Sequence, residues 1–123
     1  MSVDCEAFIG YSITLKKDLS HDDFRFFNNF TEKYPQYDYY NHSLERENRV
    51  ILITDGMNGL YSRLVYVEKH IDECWMTEKY YFPLKSDTVP KDVFIKLNEA
   101  YGLMYGKDVS KDLIEYALFF HVT

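Results

Sequence analysis

The residue types that most often carry chemistry are few in this sequence and lie far apart. Its histidines fall in four different segments, at His21, His42, His70 and His121. His70 and Cys74 are close enough in the chain to form a metal-binding pair, but a structural zinc site needs four ligands and no second pair has that spacing. We therefore expect His70 to lie in a polar turn at the mouth of a strand, and we predict no metal site and no cofactor.

Two acidic pairs and one acidic loop are the remaining candidates for catalysis or calcium binding. Asp22-Asp23 fits the N-terminus of a helix and Asp72-Glu73 fits a solvated turn, so neither pair needs an acid–base role. The loop 55–59 has methionine at its third position and lacks the acidic ligands of a calcium loop. No glycine-rich phosphate loop, nucleophile elbow or zinc-protease motif occurs. The sequence therefore predicts a protein that is not an enzyme.

Aromatic residues are in surplus. They make up 18% of the chain, with 12 Tyr and 9 Phe, which is more ring surface than a core of this size needs. Tyrosine and tryptophan are favoured at interfaces because each supplies a large rigid area and one hydrogen-bonding group. The alternative is that the rings close the open end of a sheet. We define a partner-binding set of aromatic and neighbouring acidic residues, namely Tyr37, Asp38, Tyr39, Tyr40, Glu45, Glu47, Asp72, Glu73 and Trp75.

The formal net charge of -6 bears on the choice of partner. It weighs against direct binding to nucleic acid, because phosphates are contacted by clustered Lys and Arg. The same charge suits a basic protein surface, although acidic surfaces more often serve solubility alone. Charged residues interrupt the first apolar stretch and no segment is long enough to span a membrane, so we expect a cytoplasmic protein. Cys5 and Cys74 are expected to be reduced there, with a disulfide between them left open.

Hydrophobic periodicity predicts the elements that position these residues. Alternation of apolar and polar residues predicts a strand over 5–16. A helical period predicts a first helix that begins near His21 and ends before Pro35. A second helix is predicted with Pro90 in its first turn and Gly106 just past its end.

Further strands are predicted from β-branched and apolar runs. Such runs flank an Asp-Gly and an Asn-Gly pair within 49–67, which predicts two central antiparallel strands joined by a tight loop. The stretch 37–48 is predicted to be a loop, with a short edge strand over 39–44 as an alternative. A further strand is predicted over 74–82 and the last one over 113–122.

The resulting order, β-α-β-β-β-α-β, predicts an α+β fold in a single domain of residues 1–123. It would have a mainly antiparallel sheet of about five strands with both helices on one face. The central hairpin is apolar in both of its registers, so the outer face of the sheet needs a cover. That cover could be a loop, a partner, or a second copy of the chain in a dimer that uses the face around Ile51, Ile53 and Tyr66.

In overall kind the chain resembles the small proteins that phages encode to block host defences, the anti-CRISPR proteins among them. The stretches that could play such a part are Tyr37-Asp38-Tyr39-Tyr40 and Glu45-Arg46-Glu47. The resemblance covers the whole chain as a profile, without a family motif. It implies a non-enzymatic inhibitor, in the host cytoplasm if phage-encoded, that occupies a basic, nucleic-acid-binding surface of a partner protein.

A different class of function remains open at this point. The chain could bind a small molecule or nucleotide, or be a small enzyme, with a site between loops or at a dimer seam. Tyrosine rings would then stack on the bases of the ligand.

Overall fold

The sheet is built around β1 (Cys5–Lys16), which pairs on both of its sides in this computed structural model. The other strands are β2 (Arg49–Ile53), β3 (Ser62–Ile71), β4 (Tyr81–Pro83) and β5 (Ile114–Val122). They follow the order β2-β3-β1-β5-β4, and every pair of neighbours is antiparallel. The predicted α+β fold with its element order is confirmed. The structure describes residues 5–16, 21–39, 41, 45–54, 62–71, 81–85 and 88–122.

The predicted hairpin does not form the centre of the sheet, because β2 is an edge strand. The outer edge of β2 forms one isolated parallel β-bridge within the described residues, between Asp38 and Leu52. Residues 50–53 are nevertheless buried on both faces, which explains an apolar run that a central strand would also show. The predicted tight loop over 55–59 lies outside the described residues.

Gly10 allows a β-bulge in β3. The pairing steps from Ile9 with Lys69 to Gly10 with Val67, so Glu68 is an extra residue in its strand. A Cβ atom on Gly10 would lie 2.0 Å from the carbonyl oxygen of Tyr66. Only glycine therefore fits at this position.

Both helices lie on one face of the sheet, as predicted. The first, α1 (His21–Lys33), is followed by a 3₁₀ helix, Pro35–Tyr37. The second, α2 (Lys91–Tyr105), ends at Gly106, whose φ of 71° is left-handed. Their apolar stripes and the near face of the sheet form one core, which includes Phe27, Phe30, Val93, Leu97, Ala100, Met104, Tyr11, Leu64 and Tyr66.

The opposite face of the sheet carries a second apolar cluster that is buried within the single chain. Its members are Phe8, Tyr39, Ile51, Ile53, Val65, Val67 and Phe119. Ile51 is 0% exposed and Ile53 is 2% exposed, whereas Tyr66 belongs to the core on the helix side. Tyr66 pairs with Val50, and neighbouring residues of a strand point to opposite faces. The predicted dimer face of Ile51, Ile53 and Tyr66 is therefore wrong, because the three side chains do not share an exposed surface.

Candidate partner-binding surface

The chain between α1 and β2 carries most of the partner-binding set and runs along the edge of the sheet. The 3₁₀ helix Pro35–Tyr37 turns it towards the bridge between Asp38 and Leu52. The amide of Asn41 reaches back to the carbonyl of Pro35, with 3.1 Å between nitrogen and oxygen. The structure thus places Tyr37, Asp38, Tyr39, Glu45 and Glu47 near one edge. Tyr40, Asp72, Glu73 and Trp75 lie outside the described residues.

Tyr39 is a core residue, which corrects its predicted role as a contact residue. Its side chain is 4% exposed and meets the ring of Phe8 edge-on, with 6.0 Å between the centroids. The guanidinium of Arg46 covers its other side, 4.2 Å from the ring centroid, and donates a hydrogen bond to the Tyr39 carbonyl. The Tyr39 ring is therefore packed beneath Arg46 and is not accessible to a partner.

Tyr37 is half-buried against the helix side of the sheet. Its ring stacks on that of Phe30, with 5.6 Å between the centroids and 18° between the planes. Burial, followed by the negative charge of Glu99 and the nearby Tyr34, raises the pKa of the Tyr37 hydroxyl. The hydroxyl is therefore neutral at physiological pH and can donate a hydrogen bond.

The acidic and basic side chains of the stretch 45–49 differ in their exposure to solvent. In sequence it alternates between acidic Glu45 and Glu47 and basic Arg46 and Arg49, which balance one another. In the structure Arg46 is buried on the ring of Tyr39, while both glutamates are exposed. The exposed side chains of this stretch are consequently more acidic than its overall composition.

Arg49 is half-buried. Its Nη1 atom donates a hydrogen bond to the carbonyl of Gln36 in the 3₁₀ helix. The turn that precedes it is held by Asn48, which has a φ of 62° and donates its backbone N–H to the Val67 carbonyl at 2.7 Å. Asparagine tolerates this left-handed conformation better than most residues.

One glutamate of this stretch, Glu47, contacts the end of β3. Glu47 Oε2 accepts a hydrogen bond from the backbone N–H of His70 at 3.0 Å, and Glu6 Oε1 lies 3.1 Å from His70 Nε2. The imidazole also stacks on Phe8, with 4.9 Å between the ring centroids. We call the surface formed by Glu6, Glu45, Glu47 and His70 the acidic corner.

Two sequence interpretations change at the acidic corner. His70 is a residue of β3 and not of a polar turn, because its strand continues to Ile71. Cys74, its suggested metal-binding neighbour, lies outside the described residues, and the described part of the chain holds no group of three or more potential metal ligands. Sequence reasoning missed Glu6, since only the register of β1 against β3 brings it to His70.

Cavities of about 510, 460 and 220 Å³ open on the helix side of the sheet. The first has the rings of Tyr11 and Tyr116 in its lining, 4.7 Å apart between centroids. The last lies between the 3₁₀ helix, the start of β2 and α2. Each has room for a small molecule.

Tyr116 contacts Glu68, the extra residue of the β-bulge in β3. Its hydroxyl donates a hydrogen bond to Glu68 Oε1 at 2.6 Å. This hydrogen bond, with burial and the charge of Glu68, raises the pKa of Tyr116 to about 12. Tyr116 is therefore a neutral donor, not a catalytic base, at physiological pH.

No described helix has the length and apolar character required to cross a membrane. Comparisons with protein-family models, with curated proteins and with solved structures gave no match to this chain.

Proposed function

We propose that this protein is a non-enzymatic inhibitor that occupies a basic, nucleic-acid-binding surface of a partner protein, as the phage-encoded inhibitors that it resembles do. The observation that carries the proposal is the burial of Arg46 between two exposed glutamates. Arg46 lies on the ring of Tyr39 and the half-buried Arg49 donates to Gln36, so Glu45 and Glu47 are the exposed charged side chains of this stretch.

The acidic corner supplies the charge that such a partner would recognise. Glu6 lies beside His70 and adds a third carboxylate to those of Glu45 and Glu47. Lys69, next to His70, is exposed, and Arg46 keeps its positive charge where it is buried on Tyr39; against the three carboxylates these two charges leave the corner with one net negative charge. Clustered charge of one sign speeds association with an oppositely charged surface and disfavours partners of like charge.

The proposal keeps fewer residues in the partner-binding set than the sequence predicts. Tyr37 and Asp38 are half-buried and stay in the proposed set, whereas Tyr39 leaves it because its ring is buried under Arg46. Tyr40, Asp72, Glu73 and Trp75 stay in the proposed set on their sequence positions alone.

A charge-reversal capture experiment tests the proposal. The immobilised protein is compared with a Glu45→Lys, Glu47→Lys double variant and with a matched control, Glu32→Lys with Asp112→Lys, which reverses two exposed carboxylates elsewhere. Proteins retained from cell lysate are identified by mass spectrometry, with and without duplex DNA as competitor. Raising the ionic strength from about 0.15 M to about 1 M shortens the Debye length from about 8 Å to about 3 Å, so salt is a second variable.

We expect the wild type and the control to retain basic nucleic-acid-binding proteins that the acidic-corner variant loses. Duplex DNA and high salt should release them, because both compete for the same positive charges. Retention of the same proteins by all three chains, or retention that neither DNA nor salt reduces, would show that the acidic corner is not the binding surface.

A small-molecule site is the second candidate function, favoured by the cavity of about 510 Å³ with two tyrosine rings in its lining. A nucleotide stacked there should raise the thermal midpoint of unfolding, since a ligand that binds only the folded state stabilises it. Tyr116→Phe keeps the ring and should preserve the shift, whereas Tyr116→Ala should remove it. An unchanged midpoint across a nucleotide panel would exclude this function.

A further inference from the structure

The cavity of about 460 Å³ lies where β1 ends, between the first turns of α1 and the last turns of α2. Ile13 and Leu15 of β1 and Leu113, just before β5, contribute aliphatic side chains to its lining. The aromatic residues of the lining come from both helices and are Phe26, Phe27, Tyr101 and Tyr105. A water molecule occupies about 30 Å³ in the liquid, so the cavity has room for a small organic molecule.

Two rings of this lining reach solvent. Phe26 is 41% exposed and Tyr105 is 39% exposed. They stack on each other between the two helices, with 5.7 Å between the centroids and 28° between the planes, and Tyr101 lies 4.8 Å from Tyr105. A ligand therefore reaches this aromatic surface without movement of any side chain.

The charges around these rings favour a cation. Asp23, in the first turn of α1, is a half-buried residue of the lining. Burial, the nearby Tyr101 and the negative charge of Asp23 raise the pKa of Tyr105. Tyr105 also lies in the last turn of α2, where the helix dipole is negative. Lys107 belongs to the lining as well, but it is exposed, so solvent and salt screen its charge.

Exposed rings beside a carboxylate suit an ammonium ion that carries methyl groups. Aromatic rings attract cations, and quaternary ammonium ligands are recognised in this way. The methyl groups lose apolar surface to the lining, whereas a bare ammonium is strongly hydrated. A quaternary ammonium also donates no N–H hydrogen bond. Asp23 therefore acts on it through charge alone and keeps the contacts that it makes within the protein.

We propose that this cavity binds a small quaternary ammonium group, whose methyl groups pack on Phe26, Tyr101 and Tyr105 while Asp23 balances its positive charge. The site does not depend on the proposed inhibitor function, because it lies far from the acidic corner. Thr14 of its lining is eight residues from Glu6 along β1, which is about 26 Å in a strand.

Choline and two analogues of it test the class of ligand. The ring signals of Phe26 and Tyr105 in NMR spectra should shift saturably with choline chloride, and sodium chloride at equal ionic strength should not reproduce the shift. The carbon analogue of choline, in which carbon replaces the nitrogen, has the same shape without the charge. Ethanolamine has the charge without the methyl groups. We expect each analogue to bind at least about fivefold more weakly than choline.

A substitution of Asp23 tests the charge. Asp23→Asn keeps the shape of the side chain and removes its charge, so the choline affinity should fall about fivefold. Asp92→Asn is the matched control, because Asp92 lies in the first turn of the other helix and outside this cavity lining. This control should bind choline as the wild type does.

A substitution at an exposed ring guards against misfolding. Phe26→Leu keeps an apolar side chain and removes the ring, so the choline affinity should fall about threefold. Phe24→Leu is its matched control, because Phe24 is 40% exposed on the same helix and lies outside the lining. We expect this control to bind choline as tightly as the wild type.

A peptide that contains trimethyllysine is titrated beside choline. Tighter binding of the peptide would show that the quaternary ammonium belongs to a protein side chain, and tighter binding of choline that it belongs to a small molecule. The proposal is overturned if neither gives a saturable shift, if the carbon analogue binds as tightly as choline, or if Asp23→Asn and Phe26→Leu both fold and bind choline as the wild type does.

Discussion

Arg46 and Tyr39 form a buried cation–π pair, with 4.2 Å between the guanidinium carbon and the ring centroid, and the same guanidinium donates a hydrogen bond to the Tyr39 carbonyl. This contact places an arginine inside the protein at the point where its two neighbours in sequence, Glu45 and Glu47, face outward. One interaction thus helps to cover the second face of the sheet and leaves the acidic corner negative.

Arg46→Ala should destabilise the protein by about 2 to 3 kcal/mol, because a desolvated cation–π contact and a hydrogen bond from a charged donor are lost together. The free energy of unfolding in urea measures the effect. Arg25→Ala removes an exposed arginine of α1 and should change stability by less than about 1 kcal/mol, since contacts of exposed charged side chains contribute little. Equal effects of the two substitutions would mean that Arg46 does not support the fold.

Gly10→Ala should destabilise the protein by more than about 3 kcal/mol, because its methyl group would overlap the Tyr66 carbonyl and the bulge would have to open. Gly102→Ala is the control, and we expect it to stabilise the protein. A Cβ atom at Gly102 would lie 3.9 Å from the Lys107 carbonyl oxygen, which is an ordinary van der Waals distance, and alanine favours a helix by about 1 kcal/mol over glycine. Thermal and urea unfolding of both variants would show the contrast, and a stable Gly10→Ala protein would contradict the bulge.

Tyr116 should make stability fall at alkaline pH. Its pKa is raised to about 12 in the folded protein by the hydrogen bond to Glu68, against about 10 for an unfolded tyrosine. The folded state therefore holds this proton more tightly, so the contribution is complete below pH 10 and is lost as the pH rises through 12. The hydrogen bond is partly exposed, which limits its contribution to about 1 kcal/mol.

Tyr116→Phe removes this pH dependence. The difference in unfolding free energy between the wild type and the variant should be constant below pH 10 and should shrink between pH 10 and 12. Absorbance of tyrosinate in the ultraviolet, followed in both proteins, should show one late-titrating group fewer in the variant. A difference that grows with pH would reverse the sign of the proposed linkage.

The elements that local sequence determines could be predicted. The alternation of β1 and β5 and the helical stripes of α1 and α2 each lie within one segment, and Pro35 and Gly106 mark the ends of the helices. The position of β2 at the edge could not be predicted in the same way. It depends on which strand pairs with β1, a long-range choice that an apolar run on both faces does not reveal.

The candidate site depended on tertiary contacts that the sequence does not contain. Arginines are exposed on most proteins, so Glu45-Arg46-Glu47 suggests a solvated charged loop. Among the contacts of the described residues, the ring and carbonyl of Tyr39 hold Arg46, and the carbonyl of Gln36 holds Arg49. The predicted contact role of Tyr39 is wrong for the same reason, because its burial depends on contacts with Phe8 and Arg46.

The most direct test of the acidic corner compares paramagnetic line broadening of backbone amide signals by two small soluble probes of the same structure, one cationic and one anionic. The account predicts that the cationic probe broadens the amides of Glu6, Glu45, Glu47 and His70 more strongly than the anionic probe, and that Glu45→Lys with Glu47→Lys reverses this preference. Equal broadening by the two probes at these amides in the wild type would contradict the account.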